Sequence, residues 1–360
     1  MMRAPPGSEY LRWAKTAPAA RYDLTSSGVP YLPLSDLPVK LDDLELSGTG
    51  AYGYEPLQRA IAGRYGMDTR SCVAAMGASM ANHLAMAAML RPGDEVLIEH
   101  PTYEPLIATA RYLGAEVRHF ARRPESGFAV DPAEVERHLA ARTRLIVLTN
   151  LHNPSSALVA DSTLSEIGAL ARRVGARVLV DEVYLDSLFE AKPRTAFTLG
   201  DEFIAASSLT KVYGLNGLRC GWVFAEPELA ERMWRLTEIF NNIGVHLAER
   251  LSLVALENLE PIAARSRTLL RANADVLNAF LRSRDDLDSI QHTAGTVSFP
   301  RVLRGDATRL CELARTRYDT AVVPGAFFGA PEHIRIGLGV DTEKLRASLE
   351  RLGAALDTLR

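Results

Sequence analysis

Short, mostly apolar runs alternate with amphipathic stretches through the middle of the chain. The apolar runs lie at residues 95–99, 144–149, 177–181, 203–207 and 220–225. The stretches between them have helical spacing, as at 164–174, which is followed by Gly175, a residue suited to a helix C-terminus. Apolar, β-branched strands that alternate with helices predict an α/β fold, with a three-layer αβα domain around a mostly parallel sheet.

The last third of the chain predicts a smaller α/β domain. Residues 227–259 have a helical pattern that fits one long connecting helix or two successive helices, and 263–281 have another. Strand-like runs and a final helical pattern then follow, at 296–299, 320–323, 334–338 and 341–359.

We therefore expect three segments. Residues 1–45 contain several prolines and predict an extended arm, with a short helix near residues 10–15, that forms part of the small domain. Residues 46–245 would form the large, cofactor-binding domain, and residues 246–360 the rest of the small domain.

One apolar stretch has nearly the length of a membrane span. Residues 71–90 contain no Asp, Glu, Lys or Arg. The stretch is built mostly from alanine and methionine, however, and it includes Asn82 and His83. Alanine contributes little to insertion and the two polar residues oppose it, so we expect a buried helix in a large core.

Composition narrows the class of protein. The chain has 360 residues, 47% hydrophobic and 24% charged, which is typical of a globular protein of two domains. Its net charge of −3 and the lack of a basic block argue against a nucleic-acid partner. The first ten residues show no secretory pattern, and the three scattered cysteines indicate neither a metal site nor a disulfide framework. We expect a cytoplasmic protein without metal or membrane partners.

The segment around Lys211 carries the strongest chemical signal. The lysine follows an apolar run and a Ser/Thr-rich turn, and Arg219 lies eight positions further on. A lysine held among small residues and removed from water has a lowered pKa and becomes a nucleophile toward carbonyls. Ser208 and Arg219 supply a hydroxyl and a forked cation, as a phosphate requires. Together they suggest an aldehyde cofactor that carries a phosphate.

Other polar residues follow the predicted strands. Asn150, Asp181 and Ser207 lie at or just after strand ends. Ligands of parallel sheets bind at the carboxyl ends of the strands. The sequence therefore places a site there.

Four motifs, in this order, carry a resemblance to a known family. They are His152-Asn153-Pro154-Ser155, Asp181-Glu182-Val183-Tyr184, Ser208-Leu209-Thr210-Lys211 with Arg219, and Arg335-Ile336-Gly337-Leu338-Gly339. The set resembles pyridoxal-phosphate enzymes of fold type I, within the class I and II aminotransferases, from about Ser47 to the C-terminus. The family usually has a glycine where this chain has Ser156, which is expected to alter that turn.

The resemblance implies a role for each matching residue at the cofactor ring. Lys211 would bind the pyridoxal phosphate aldehyde covalently and later shuttle a proton. Asp181 would keep the pyridine nitrogen protonated. Tyr184 and Asn153 would donate to the ring oxygen. Tyr103 would stack on the ring.

The resemblance also implies a phosphate site and a substrate site. The phosphate would lie on Gly77, Ala78 and Ser79 at a helix start, with Ser208 and Arg219 completing the set. Arg335 would hold the substrate α-carboxylate with a bidentate fork, beside Asn153 and Gly28 of the arm. Substrates would be an amino acid and a 2-oxo acid. A tyrosine that reaches into the partner's site, Tyr52 in preference to Tyr54, implies a homodimer with shared active sites.

Three functions stay open at this point. The leading one is an aminotransferase with a ping-pong mechanism. The second is another reaction of an amino acid on the same cofactor, such as β-elimination, cyclisation or oxidation, because the side-chain pocket decides the outcome. The third is a regulatory module that only binds the cofactor, which the lack of a basic DNA-binding domain argues against.

Overall fold

The computed structural model describes residues 7–41, 44–48, 51–190 and 192–359. In these ranges the strands are β1 (Tyr22–Asp23), β2 (Cys72–Met76), β3 (Glu95–His100), β4 (Glu116–Ala121), β5 (Thr143–Thr149), β6 (Arg177–Asp181), β7 (Phe203–Ser208), β8 (Cys220–Phe224), β9 (Leu287–Asp288), β10 (Val297–Ser298), β11 (Arg301–Val302), β12 (Thr320–Ala321), β13 (Val323–Pro324) and β14 (Ile334–Gly337). The helices are α1 (Glu9–Thr16), α2 (Glu55–Tyr65), α3 (Gly77–Met89), α4 (Glu104–Tyr112), α5 (Pro132–His138), α6 (Asp161–Val174), α7 (Pro227–Phe240), α8 (His246–Glu257), α9 (Leu259–Arg282), α10 (Ala307–Tyr318) and α11 (Thr342–Leu359).

The central sheet confirms the predicted α/β fold. Its strand order is β2-β8-β7-β6-β5-β3-β4, and the five strands from β7 to β4 are parallel, whereas β8 is antiparallel to both of its neighbours. Apolar side chains from β3, β5 and β6 point to both faces of the sheet and pack against helices there. Because the parallel strands run the same way, their carboxyl ends meet at one edge.

The apolar stretch at residues 71–90 was expected to be helical, and its helix does begin at Gly77, where the phosphate-binding helix start was predicted, but residues 72–76 before it form a strand. The stretch divides into edge strand β2 and helix α3, with the break at Gly77, whose φ is +79°. This φ strains any residue that has a Cβ, and a Cβ at Gly77 would also lie 2.3 Å from Nη2 of Arg219, so the turn favours glycine. A short apolar run does not distinguish strand from helix by periodicity, which is why the strand was missed. No helix in the described ranges is long and apolar enough to cross a membrane.

The C-terminal elements form a second core that includes part of the arm. Leu24 and Val29 of the arm pack with apolar residues of α9, α10, α11 and β14. Strand β1 of the arm also pairs in parallel with β12. These contacts support an arm that joins the small domain, while the boundaries at residues 45 and 245 stay predictions. The helical pattern at 227–259 forms two helices, α7 and α8.

Candidate active site

A pocket at the carboxyl ends of the parallel strands brings together most of the residues singled out in the sequence. It is lined by Tyr10, Leu11, Ser27, Ala78, Ser79, Tyr103, Thr149, Asn153, Asp181, Val183, Tyr184 and Lys211. These residues come from the arm, the start of α3, the start of α4 and the segments that follow β5, β6 and β7. Segments that are far apart in the sequence therefore meet at this pocket.

Lys211 differs from the other lysines of the chain. The chain has five lysines, all within the described ranges, and the other four are exposed: Lys15, Lys40, Lys192 and Lys344. Nζ of Lys211 donates to Oγ of Ser27 at 2.9 Å. Burial, reinforced by the charges of Arg335 and Arg219, lowers the pKa of Lys211 to about 8. Near neutral pH a useful fraction of this amine is uncharged and nucleophilic.

Asp181 ends β6 as a buried carboxylate with specific donors. Its Oδ2 accepts from Nδ2 of Asn82 at 2.7 Å, and its Oδ1 accepts from the backbone N–H of Val183 at 3.1 Å. Burial raises the pKa of Asp181, while both hydrogen bonds and the charge of Lys211 act in the opposite direction. A carboxylate in this setting is suited to holding a cation. Asn82 was not identified as a site residue because it lies inside an apolar stretch.

Asn153 and Tyr184 face the pocket from neighbouring loops. The backbone N–H of Asn153 donates to Oγ1 of Thr149 at 2.8 Å, and its Oδ1 accepts from Nη1 of Arg335 at 3.3 Å. Tyr184 is 1% exposed, and burial raises the pKa of its phenol to about 12. Both side chains carry N–H or O–H donors and line the same pocket as Lys211.

Tyr103 precedes α4 and lines the pocket beside Tyr10 of the arm. Its ring meets the ring of Tyr10 edge-on, with centroids 6.0 Å apart. Burial raises the pKa of the Tyr103 phenol, so it stays protonated. An aromatic wall of this kind suits a flat ligand.

The first turn of α3 offers free backbone donors. Gly77, Ala78 and Ser79 begin this 13-residue helix, and no side chain caps it. Gly221 is so close that a Cβ there would lie 2.4 Å from the carbonyl carbon of Gly77. Uncapped N–H groups and the helix dipole attract an anion.

Two further residues, Arg219 and Ser208, belong to the anion-binding end of the site, near the start of α3. Arg219 is exposed, and its guanidinium donates to the carbonyls of Met76 and Asn216 at 3.4 and 3.3 Å. Ser208 is buried at the end of β7, where it pairs with Gly221 of β8. The sequence identified both, although Ser208 does not itself line the pocket.

Arg335 lies buried beside the pocket, with 0% of its surface exposed. Its guanidinium carbon sits 5.3 Å from the ring of Tyr10 and 5.0 Å from the ring of Phe328. Nη2 donates to the Tyr10 hydroxyl at 2.7 Å and to the Thr25 carbonyl at 3.0 Å. Its Nε has no hydrogen-bond partner among the described residues. The cation is therefore held in place with donor capacity left over.

The N-terminal arm closes one side of the site. A Cβ at Gly28 would lie 3.4 Å from the Lys211 Cα, and the N–H of Val29 donates to the Lys211 carbonyl at 2.9 Å. Gly28 therefore lies against the lysine, and its contact with the substrate stays a prediction. Ser27, which precedes Gly28 in the arm, was named with it in the resemblance, whereas Tyr10 was missed because its contact with Arg335 spans 325 positions and leaves no local pattern.

The tyrosines expected to serve a neighbouring subunit lie outside this pocket. Tyr52 is 46% exposed, hydrogen bonds to Glu238 and packs near Trp234. The hydroxyl of Tyr54 accepts from Arg250 at 2.6 Å. Neither tyrosine reaches the site of its own chain.

The turn after Asn153 explains the departure at Ser156. Ser156 has φ +63°, a conformation that favours glycine, and its hydroxyl donates to the Val297 carbonyl at 2.7 Å. His152 in the same turn is fully buried between Oγ of Ser155 and the carbonyl of Pro101. Burial lowers the pKa of His152 well below its usual range, so this histidine is a neutral structural residue.

The donor set fits pyridoxal phosphate. An anion site, a buried carboxylate, a lysine with a lowered pKa and an aromatic wall are arranged around one pocket. These are the groups that a phosphorylated pyridine aldehyde requires.

Comparison with known proteins agrees with this arrangement. Residues 41–352 match the model of the family described as aminotransferase class I and II. The chain is 32% identical to capreomycidine synthase from Streptomyces vinaceus, over 94% of this chain and 90% of that protein. It is 27% identical to an arginine–pyruvate transaminase from Pseudomonas aeruginosa, over 83% of this chain and 80% of that one.

A solved structure shares the fold over the whole chain. The crystal structure of a PLP-dependent aminotransferase from Streptococcus suis matches with a TM-score of 0.91 and 24% identity. The match covers 100% of this chain and 99% of that one.

Proposed function

This chain belongs to the class I and II aminotransferase family, and we propose that it moves an amino group between an L-amino acid and a 2-oxo acid in a ping-pong reaction. Members of the family use pyridoxal phosphate as cofactor, and the chain is a pyridoxal-phosphate-dependent enzyme. The observation that carries the proposal is the meeting of Lys211, Asp181, Asn153 and Tyr184 in one pocket beside Arg335.

The site residues would hold the cofactor at both ends. When bound, pyridoxal phosphate supplies an aldehyde that joins to amines and a ring that accepts the electron pair released at a neighbouring carbon. Asp181 would hold the proton on the ring nitrogen, since its carboxylate is buried and needs a cationic partner. Tyr184 and Asn153 would donate to the ring oxygen, with Tyr103 against the ring face.

The phosphate would be bound where α3 begins. The N–H groups of Gly77, Ala78 and Ser79 would donate to it, and Arg219 would supply the positive charge. Ser208 would add a hydroxyl from the end of β7. The backbone N–H groups of this set are free to bind the phosphate because no side chain caps the start of α3.

Lys211 would perform two tasks with one nitrogen. Its Nζ would bind the cofactor covalently until a substrate amine displaces it. The freed Nζ would then take the proton from the substrate α-carbon and return it to the carbon that carried the aldehyde. A pKa of about 8 suits a group that must accept and release a proton near neutral pH.

Arg335 would bind the α-carboxylate of the substrate. Its guanidinium is fixed by two aromatic rings and by Asn153, and it retains unused donors. Asn153 and Gly28 would border the same substrate position. A carboxylate in the pocket would meet a guanidinium that is already oriented, although Nη2 would have to release one of its two partners for a bidentate contact.

A homodimer would complete the site at the phosphate end. Large apolar side chains are exposed at this end: Met76, Ile243 and Val245 share a cavity with Arg219, and Tyr52 packs on Trp234 of the same cavity. Such a patch is typical of a subunit interface. We propose that a second copy covers it and that Tyr52 of the partner subunit donates to the phosphate, with Tyr54 as the alternative.

A second candidate keeps the cofactor and changes the outcome. The 32% identity to capreomycidine synthase favours a reaction at the amino-acid side chain, such as cyclisation after β-elimination. Such a reaction would use the same Lys211, Asp181 and Arg335, because all of these reactions begin with loss of the α-proton. A role limited to cofactor binding without turnover is the remaining alternative.

Turnover with and without an acceptor distinguishes these functions. The holoenzyme is incubated with a panel of amino acids, and 2-oxo acids and released ammonia are measured. A transaminase forms more than one equivalent of product per active site only when a 2-oxo acid acceptor is added. Continued turnover without an acceptor would favour elimination or cyclisation, and no turnover with any amino acid would contradict both.

The chain's thiols are consistent with a cytoplasmic location, which stays a prediction. Cys72, Cys220 and Cys311 are buried free thiols. Burial raises the pKa of each of them, so they are unreactive. Free thiols are usual in a reducing compartment.

A further inference from the structure

A buried ion pair lies behind the pocket without touching it. Glu99 of β3 and Arg122, which follows β4, are each fully buried, and Nη1 of Arg122 donates to Oε2 of Glu99 at 2.6 Å. Neither residue lines the pocket. A buried pair is a weak source of stability because both charges lose their hydration. The other contacts of the Glu99–Arg122 pair indicate its role.

Both members of the pair hold Thr149, the last residue of β5. Oε1 of Glu99 accepts from the backbone N–H of Thr149 at 2.8 Å and from its hydroxyl at 2.6 Å. Nη1 of Arg122 also donates to the Thr149 carbonyl at 3.3 Å. The backbone and side chain of Thr149 are thus fixed by two buried charges.

The orientation of the Thr149 hydroxyl determines the next bond. Its single proton is donated to Glu99, so a lone pair of the oxygen is left to accept from the N–H of Asn153, at 2.8 Å. Asn153 in turn faces the pocket and accepts from Nη1 of Arg335. A line of hydrogen bonds therefore runs from Glu99 to two proposed ligand-binding residues.

We propose that Glu99, together with Arg122, is a positioning group that fixes Asn153 through Thr149. The inference rests on the proposed function for the role of Asn153. The geometry of the line itself does not depend on that function. Glu99 acts through another residue and touches neither substrate nor cofactor.

The same strand carries a natural control at its opposite end. Glu95 begins β3 and is also fully buried, and its Oε1 accepts from the hydroxyl of Thr143 on β5 at 2.6 Å. This pair lies at the amino ends of the strands, away from the pocket. Glu95 also pairs with Arg118 and Arg142, which are partly exposed. Changes at Glu95 and Thr143 thus test a buried carboxylate–threonine hydrogen bond that has no connection to the site.

The test uses two pairs of matched variants. Thr149→Val removes the hydroxyl and Thr149→Ser retains it, with Thr143→Val as control. Glu99→Gln is compared with Glu95→Gln, and urea unfolding verifies that each variant folds. Kinetic constants are measured for the holoenzyme, and backbone amide exchange at residues 150–158 is measured by mass spectrometry in the cofactor-free protein.

The proposal predicts a selective loss. Thr149→Val and Glu99→Gln should each lower kcat/KM about tenfold or more and speed amide exchange at Asn153 by a similar factor. Thr149→Ser should restore both values to within about threefold of the unmodified protein. Thr143→Val and Glu95→Gln should leave both values unchanged even where they lower stability.

Two results would overturn the proposal. One is unchanged exchange at Asn153 in Thr149→Val; the other is an equal loss of activity in the Glu95 and Glu99 variants. If Glu99→Gln does not fold, the serine and valine variants of Thr149 decide. If the unmodified enzyme transforms no amino acid, the proposed function fails, while the exchange measurement still tests the positioning line.

Discussion

Tyr10 and Arg335 are joined by a hydrogen bond of 2.7 Å between the phenol oxygen and Nη2 of the guanidinium. The same Nη2 also donates to the carbonyl of Thr25, so both of its hydrogens are used. A carboxylate that accepts two parallel hydrogen bonds from the guanidinium engages Nη2 together with either Nε or Nη1. One of the present partners must therefore leave when a carboxylate binds in this way. The end of a side chain moves more easily than a backbone carbonyl.

Tyr10→Phe should bind substrate more tightly. The variant removes the bond that the carboxylate has to displace, and a hydrogen bond contributes about 1 kcal/mol net, equivalent to roughly fivefold in affinity. Steady-state kinetics should show a KM about fivefold lower, with little change in kcat. Trp13→Phe, on the same helix but outside the pocket, is the control. A raised KM in Tyr10→Phe would mean that the phenol helps to bind the substrate.

Cofactor capture by Lys211 should depend on pH in a defined direction. Burial and the charges of Arg335 and Arg219 lower the pKa of Lys211 to about 8, so the neutral amine increases as the pH rises through that value. The rate at which cofactor-free protein combines with pyridoxal phosphate, followed by absorbance, should be half-maximal near pH 8. A midpoint near the ordinary lysine value of 10.5 would contradict the burial argument.

Asn82→Ala should impair activity most at low pH. Burial raises the pKa of Asp181, and the hydrogen bond from Asn82 lowers it, so losing that bond raises the pKa further. The ionised carboxylate is then lost at a higher pH as the solution is acidified. We expect the acid limb of the kcat/KM profile to shift upward and activity on that limb to fall about tenfold. Asn278→Ala, at a buried asparagine that bonds to His292, should leave the profile unchanged.

Gly337→Ala should displace the arm. A Cβ at Gly337 would lie 1.9 Å from the Ser26 carbonyl oxygen, a clash with backbone that no side-chain rotation relieves. Urea unfolding should show a loss of about 2 kcal/mol or more, together with weaker cofactor binding, because Ser27 contacts Lys211. Gly63→Ala, where nothing lies within 4 Å, should instead stabilise helix α2 by about 0.5–1 kcal/mol. Equal effects of the two substitutions would contradict this account of the arm.

Local patterns in the sequence were sufficient for the main features of the fold, whereas most of the predicted pocket residues came from the resemblance to the family. Strands such as Arg177–Asp181 are short, apolar and followed by polar residues, so both the sheet and the position of Asp181 could be predicted. Lys211 stood out because its segment combines hydroxyls, glycines and an arginine.

Contacts between distant segments could not be predicted in this way. Tyr10 meets Arg335 across 325 positions, and Asn82 reaches Asp181 from inside a helix of apolar character. The antiparallel strand β8 was identified as a strand, but its direction depends on a chain reversal that apolar spacing does not record. The role of Glu99 depends on a hydroxyl orientation that only the packed sheet defines.

The most direct test of the account is the identity of the lysine that binds the cofactor. The protein is loaded with pyridoxal phosphate, reduced with borohydride and digested, and the labelled peptide is found by mass spectrometry. With only five lysines, four of them exposed, the assignment is unambiguous. We expect stoichiometric label on Lys211 and none in Lys211→Ala. Label on another lysine, or stoichiometric label in Lys211→Ala, would contradict it.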